Sequence, residues 1–542
     1  MNKFTLQICF TFSIVAIIIL PSQTFSYERD DTLSAVSASK VHQTINGIYK
    51  NSFAQFKLKP SEQNILRLYK NNDKLANLKL FSINLDSGKD DSSRLKLDTG
   101  KVLTKEQKEY KGYESKSHLL ISLAEMALIE YIPFAMAKYL RNWDESGEVN
   151  WTKVSWETWR KNLREGFEYD GDNFTTNYFS HPYHGNLYYN AGRANGYDFW
   201  NSSIYAFIGS GIWETFGETF RPSFNDLVNT TVNGINFGET LFRLSAMVTD
   251  NRASGFERVW REALGGLINP VREVNRILSG EAFKKFDNPY YGKQPKFLVK
   301  LSAGMRRLDN SNQNQGEFFT KGIEEGIYSI DVQYGDLFST IAPFSYFNFG
   351  AELTTGSPSF ARLYSTGHIY GFTVNDSKDV QQKLNISLDY TYTNNPGFQY
   401  GQTAVIPNFL TRVKLGKARL LAQIGINAIL MAGTNTDYYI DQEGRNYDMG
   451  PGIGTIGDLE ISYKNWTYFK LYYTNAWIFS MTEPQESTHN LNYIQLSLAL
   501  PFKEYFAVGL DMSVFWRNSY YNGSPDVKRQ VPIAKLYFST YL

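Results

Sequence analysis

From about Pro295 onward the chain alternates apolar and polar residues with a period of two, the pattern of an extended strand with two unlike faces. Phe297, Val299, Leu301 and Ala303 alternate with Leu298, Lys300 and Ser302. Leu384, Ile386, Leu388, Tyr390 and Tyr392 alternate with Asn385, Ser387, Asp389 and Thr391. The same rhythm returns at Ile494, Leu496, Leu498 and Leu500, at Val508, Leu510, Met512 and Val514, and at Ala534, Leu536, Phe538 and Thr540. The runs are about ten residues long and predict about twelve strands. The joins between them alternate in length. Residues 306–322, 394–402, 433–454, 481–488 and 517–529 are long and polar, whereas 377–381, 415–417, 464–465 and 502–503 are tight. A soluble β-sandwich explains the alternation but not this asymmetry. An antiparallel outer-membrane β-barrel explains both, with short periplasmic turns and longer outside loops.

Composition agrees. Aromatic residues make up 16% of the 542, with 37 Tyr and 38 Phe, which suits strands that are half apolar. Lys and Arg number 55 against 54 Asp and Glu, so the chain lacks the basic excess of a nucleic-acid binder, and no nucleic-acid partner is expected. Lys3, the apolar run 8–20 and the small residues Thr24 and Ser26 have the layout of a secretory signal over residues 1–26. The single cysteine, Cys9, falls inside that run. The rest of the sequence therefore offers no disulfide, thiolate metal site or cysteine nucleophile.

Residues 27–110 are polar and weakly patterned, and read as a partly irregular arm. Residues 111–285 change to helical periodicity. Positions 117–140 form a long apolar run broken by Glu125, Glu130, Lys138 and Pro133, which predicts a buried helix of a helical domain rather than a membrane span. Amphipathic spacing of Trp156, Trp159 and Leu163 predicts a helix over about 151–167. Further helices are expected over about 185–195, 200–218, 223–247 and 255–268. Asn269-Pro270 then stops the last of these, and a short helix runs on to about 279. The expected fold class is thus α+β, a helical domain on the periplasmic side or partly in the barrel mouth as a plug, followed by a barrel over residues 290–542.

The unusual residue choices cluster between Asn177 and Glu239. They are Asn177-Tyr178-Phe179-Ser180-His181-Pro182-Tyr183-His184-Gly185, then Trp213-Glu214-Thr215-Phe216-Gly217-Glu218, then Arg221-Pro222-Ser223-Phe224-Asn225-Asp226. Glu214 and Glu218 are four apart and share a helix face. Pro182 fixes the backbone between His181 and His184. Asp226 lies in the first turn of a helix opened by Ser223. If these segments converge, His181, His184, Glu214, Glu218 and Asp226 would surround one point. They could then hold a divalent metal or form a His–carboxylate acid/base pair for hydrolysis. The same residues also have structural readings: Ser223 as a helix cap, Asn177 and His181 as turn fasteners, and Glu214 as the partner of Arg193 or Arg221. Which cofactor, if any, is bound cannot be read from them, since no zincin, P-loop, nucleophile-elbow or dinucleotide motif occurs.

Over about residues 173–279 these motifs resemble the bacterial family known as domain of unknown function 3943. The resemblance implies a Gram-negative envelope protein and no particular reaction. The expected roles are an envelope scaffold, channel or lipid-handling protein, or else an envelope hydrolase. Expected partners are outer-membrane lipids and an envelope protein or a lipid or glycan ligand.

Overall fold

In the computed structural model the described residues are 112–141, 149–289, 296–309, 322–338, 342–438, 445–482 and 486–541. The expected signal and the polar arm lie outside them. Twelve antiparallel strands form one closed barrel, each paired with its sequence neighbours, and β1 (Phe297–Leu308) closes on β12 (Val527–Tyr541). Between them run β2 (Ile323–Gly335), β3 (Tyr346–Thr354), β4 (Phe360–Asp376), β5 (Val380–Asn394), β6 (Gln399–Leu415), β7 (Ala418–Asn435), β8 (Tyr447–Tyr463), β9 (Trp466–Phe479), β10 (Ser487–Pro501) and β11 (Phe506–Tyr521). Closure leaves no sheet edge with unpaired backbone groups, which is what allows strands to stand in lipid. One rim carries both barrel termini and the tight turns, such as 416–417 and 464–465. The opposite rim carries longer joins, such as 309–322 and 436–446.

The two faces of the wall are chemically opposite. Lys535 on β12 reaches Glu352 on β3 at 2.5 Å, three strands away, so these side chains point into the lumen. Glu352 also meets Arg306 at 3.0 Å, and Lys470 meets Asp458 and Glu460 at 2.7 and 2.5 Å. Alternation then turns Leu353, Ile424, Ile453, Leu498, Leu536 and Phe538 outward, where all are exposed. Polar inside and apolar outside is the pattern of a membrane barrel.

The lumen is not an open pore. Phe398 stacks on Phe515 at 3.8 Å, and Ile406, Ile429, Ile478, Leu491, Val531 and Ile533 pack around them as an apolar layer. A cavity of about 80 Å³ is lined by this layer and by Arg362, Asp389, Tyr400 and Tyr472.

The helical domain comprises α1 (Leu119–Leu140), α2 (Trp156–Glu165), α3 (His181–Arg193), α4 (Phe199–Ile212), α5 (Phe224–Val228), α6 (Gly234–Val248), α7 (Gly255–Ile268) and α8 (Pro270–Leu278). Glycines set the spacing of its core. A Cβ on Gly185 would sit 1.8 Å from the Thr230 carbonyl oxygen and 2.9 Å from the Gly234 Cα, so α3 and the start of α6 meet backbone to backbone. One turn on, Gly238 receives the Tyr189 ring.

This domain touches the barrel from outside. Asp389 and Thr391 face the lumen cavity, so Leu388, Tyr390 and Tyr392 face out, yet all three are buried. Phe237 lies 4.5 Å from the Tyr390 ring, and Phe174 lies 5.5 Å from Tyr392. Asn236 donates to the carbonyls of Ser365 and Leu388 at 3.0 and 3.3 Å, and accepts from the Ser365 hydroxyl at 2.6 Å. Asn233 donates to Thr403 at 2.6 Å, and Asn177 to the Tyr447 hydroxyl at 2.6 Å. A seat in the barrel mouth, or a plug, is therefore not what these contacts describe, because the partners are outward-facing side chains of β2 to β8. The expectation that residues 117–140 form a buried helix is also corrected. They are helical, but only Ser122 and Met126 of α1 are buried, and Leu120 is 82% exposed.

Candidate functional site

The first two sequence motifs, and the segment just after the third, each open into a wider helical turn. Thr176–Ser180 precedes α3, Trp213–Gly217 follows α4, and Asn229–Asn233 joins α5 to α6, each as one π-helical segment. Such turns widen the hydrogen-bond spacing and re-aim side chains, and they recur at functional sites. α2 braces the second of them. Its start is fixed by a capping box in which Thr158 N–H donates to Ser155 Oγ and Ser155 N–H donates to Thr158 Oγ1. Its Asn162 donates to the carbonyls of Thr215 and Glu218 at 3.2 and 3.3 Å.

Four of the five expected residues converge. His181 Nε2 lies 3.5 Å from Asp226 Oδ1 and 3.6 Å from Asp172 Oδ2, between the two carboxyls and slightly too far from either for a good hydrogen bond. Glu214 is buried and accepts from the Ser223 N–H at 2.8 Å. Glu218 stands beside it, close enough for the two carboxyls to repel. His184 goes elsewhere. Its Nε2 is 3.4 Å from the Ile129 carbonyl of α1, and its ring packs on Trp213 and Tyr188. Ser223 does cap α5, accepting from Asp226 N–H at 3.2 Å. Glu214 is not neutralised by arginine, since Arg193 bonds Glu239 and Arg221 bonds Glu168.

Two carboxylates that the motifs did not single out complete the cluster. Asp170 accepts from Asn177 at 3.2 Å and from Asn225 at 2.8 Å, and Asn225 also donates to Asp226 at 3.0 Å. One amide thus holds two carboxyls together. Asp172 flanks His181 from the other side and is 48% exposed, which leaves that side of the cluster open to solvent. The signal was present as Asp170-Gly171-Asp172-Asn173, an acidic turn just before the first motif. The cluster sits by the long-loop rim, where Tyr447 and Arg445 donate to the carbonyls of Asp172 and Asp170.

Among the described residues, no group of three His, Cys, Asp or Glu side chains is arranged to hold a metal ion. The arrangement offers instead an imidazole between two carboxylates, with further acids behind it. Burial, then the negative charges of Asp170 and Asp172, push Glu218 up to about 8. Its carboxyl therefore holds a proton more tightly folded than unfolded, where the value is about 4.3. The sign follows: stability is highest at the acid end, falls as pH rises through the unfolded value, and levels off above the folded one. Glu218→Gln should flatten that fall. Thermal midpoints in detergent at a series of pH values between those limits check it, and an unchanged slope would count against it.

No curated protein matches the chain. Among solved structures, the barrel is similar to the NanC porin, at 8% identity and TM-score 0.22, over 45% of this chain and 99% of that one. It is likewise similar to the KdgM porin, at 6% and 0.21 over 44% and 98%, and to an anion-selective porin from Comamonas acidovorans, at 6% and 0.19 over 46% and 99%. The helical motifs have a family of their own: residues 166–271 match the model of the Domain of unknown function (DUF3943), the family their sequence resembles.

Proposed function

We propose that this is an outer-membrane protein whose working part is the helical domain, which handles a lipid or glycan component of the envelope at the long-loop rim. The observation that carries the reading is a contrast. The lumen is crossed by the Phe398–Phe515 layer, while the clustered acids and His181 lie in the helices outside the barrel. With the short turns on the periplasmic side, the cluster would lie at the outer leaflet. A second reading, hydrolysis, is favoured by the placement of His181. An imidazole between Asp172 and Asp226 can take a proton from a nucleophile and return it to a leaving group, with one carboxylate orienting it.

Two measurements test the proposal together. In planar bilayers the purified protein is expected to conduct poorly, and Phe398→Ala/Phe515→Ala to conduct several-fold better. In cells lacking the native protein, His181→Ala and Asp226→Asn should fail to restore the wild-type envelope lipid and glycan profile, although both reach the membrane folded. High conductance of the unaltered protein, with a normal profile in both variants, would return the function to the lumen.

A further inference from the structure

We propose that the helical domain is itself embedded in the membrane, a bundle crossing the bilayer beside the barrel with its outer faces on lipid acyl chains. The reading goes beyond the proposed function and rests on three features of the fold.

The first is direction. α6 runs along the wall. Asn233 at its start bonds Thr403 near the long-loop rim, and Asn236 and Thr240 bond Ser365 on β4. Arg243 near its end reaches the Tyr334 hydroxyl at 3.4 Å and the Pro343 carbonyl at 3.0 Å, in the join of the opposite rim. The helix therefore travels from one rim toward the other against the face that lipid covers elsewhere. α3 runs alongside it, from His181 at the long-loop rim to Arg193, which bonds Glu239 of α6.

The second is length. The helical stretches 176–193, 199–217 and 224–248, and α1, are each about 27–38 Å long at 1.5 Å per residue. The hydrocarbon core is about 30 Å thick.

The third is surface. α1 is long and apolar enough to cross a membrane, and 11% of its most apolar window is buried. Leu123, Leu128, Ile132 and Met136 stand exposed along it. Its acid Glu125 turns inward and accepts from Asn195 at 2.7 Å. On β5, exposed Leu384 and Ile386 continue directly from buried Leu388, so the domain interrupts the barrel's own apolar belt. A water-facing domain there would leave that belt broken and α1 unsolvated. A lipid-facing one makes the belt continuous. The interior suits the same solvent. Backbone contact at Gly185 and Gly234, and asparagine bonds at Asn190, Asn233 and Asn236, are how helices associate where apolar burial drives nothing.

The sequence makes the test direct, because Cys9 is the only cysteine. The full chain carrying Cys9→Ser is given one label site at a time: Leu128→Cys on α1, Ile424→Cys on the barrel wall, and Lys503→Cys in a tight turn. Each is labelled with bimane and reconstituted in phosphatidylcholine vesicles. Quenching by acyl-chain nitroxide lipids is then compared with quenching by iodide. Positions 128 and 424 should both be quenched far more by the nitroxide lipid, and 503 far more by iodide. Position 128 behaving like 503 while 424 does not would overturn the embedded bundle and leave the barrel reading intact. Position 128 shielded from both quenchers would mean a protein covers α1, which also overturns it. Position 424 following 503 would defeat the membrane barrel itself.

Discussion

Gly185→Leu is expected to detach the helical domain from its fold while leaving the barrel closed. The added Cβ alone would lie 1.8 Å from the Thr230 carbonyl oxygen and 2.9 Å from the Cα of the facing Gly234, both of them main-chain atoms. No rotamer relieves this, because the obstacle is main chain. The helices must part, and with them go the Tyr189 and Tyr188 rings seated against Gly238 and Gly209. Overpacking that side chains can absorb costs about 1–3 kcal/mol, and one that separates two backbones should exceed this. The barrel has its own closed hydrogen-bond ladder and its own lumen packing, so the two parts should respond separately. Limited proteolysis in detergent should cut the variant within residues 176–248, and its barrel should run on unheated SDS gels at the same mobility as that of the parent. Gly211→Ala is the control, since nothing lies within 4 Å of the Cβ it would add. Proteolysis of Gly185→Leu no faster than that of Gly211→Ala would refute the packing argument.

The same close packing explains what could and could not be read from the chain. Alternation fixes two faces per strand, so β5 and β11 were legible residue by residue. It does not say what an outward apolar face meets. Leu384 and Leu388 look alike in sequence, yet one is exposed and the other lies under α6. The available sign was a departure from the apolar rule. Ser365, Gly401, Thr403 and Gly433 are small or polar on the outward face, where lipid would favour bulk and a helix requires room. Tyr178 fills the space over both Gly401 and Gly433. In the site, Glu214 and Glu218 lie side by side, although Glu218 stands in extended backbone just past the helical segment rather than on its face. His184, three residues on and so near the same helix face, is instead held by the Ile129 carbonyl of α1 and by the Trp213 and Tyr188 rings, contacts that its spacing from His181 does not reveal. Asp170 and Asp172 were missed because they precede the helices, and loop carboxylates have no period to betray them.

The second large effect should come from Glu239→Ala. Glu239 is completely buried on α6, between two cations. Its carboxylate accepts from Arg193 Nε at 2.8 Å, from Arg243 Nε at 2.7 Å, and from the Tyr189 hydroxyl at 2.7 Å. Each arginine has a further task. Arg193 lies over the Phe242 ring, and Arg243 holds the Pro343 carbonyl at the rim of the barrel. Removing the carboxylate strands two guanidinium groups in a low-dielectric interior, a loss of about 3–5 kcal/mol for a buried pair broken from one side. A bundle facing lipid rather than water has still less means of solvating them. Replacing the whole group should be milder. Arg193→Met/Glu239→Leu/Arg243→Met leaves no unpaired charge, and apolar substitution of a buried triad is often neutral. The ordering of thermal midpoints in detergent is therefore parent, then triple variant, then Glu239→Ala lowest. If Glu239→Ala matched the triple variant, the two arginines would have to reach water when the acid is gone, and the interior between α3, α6 and the barrel wall could not be the dry interface that the contacts describe.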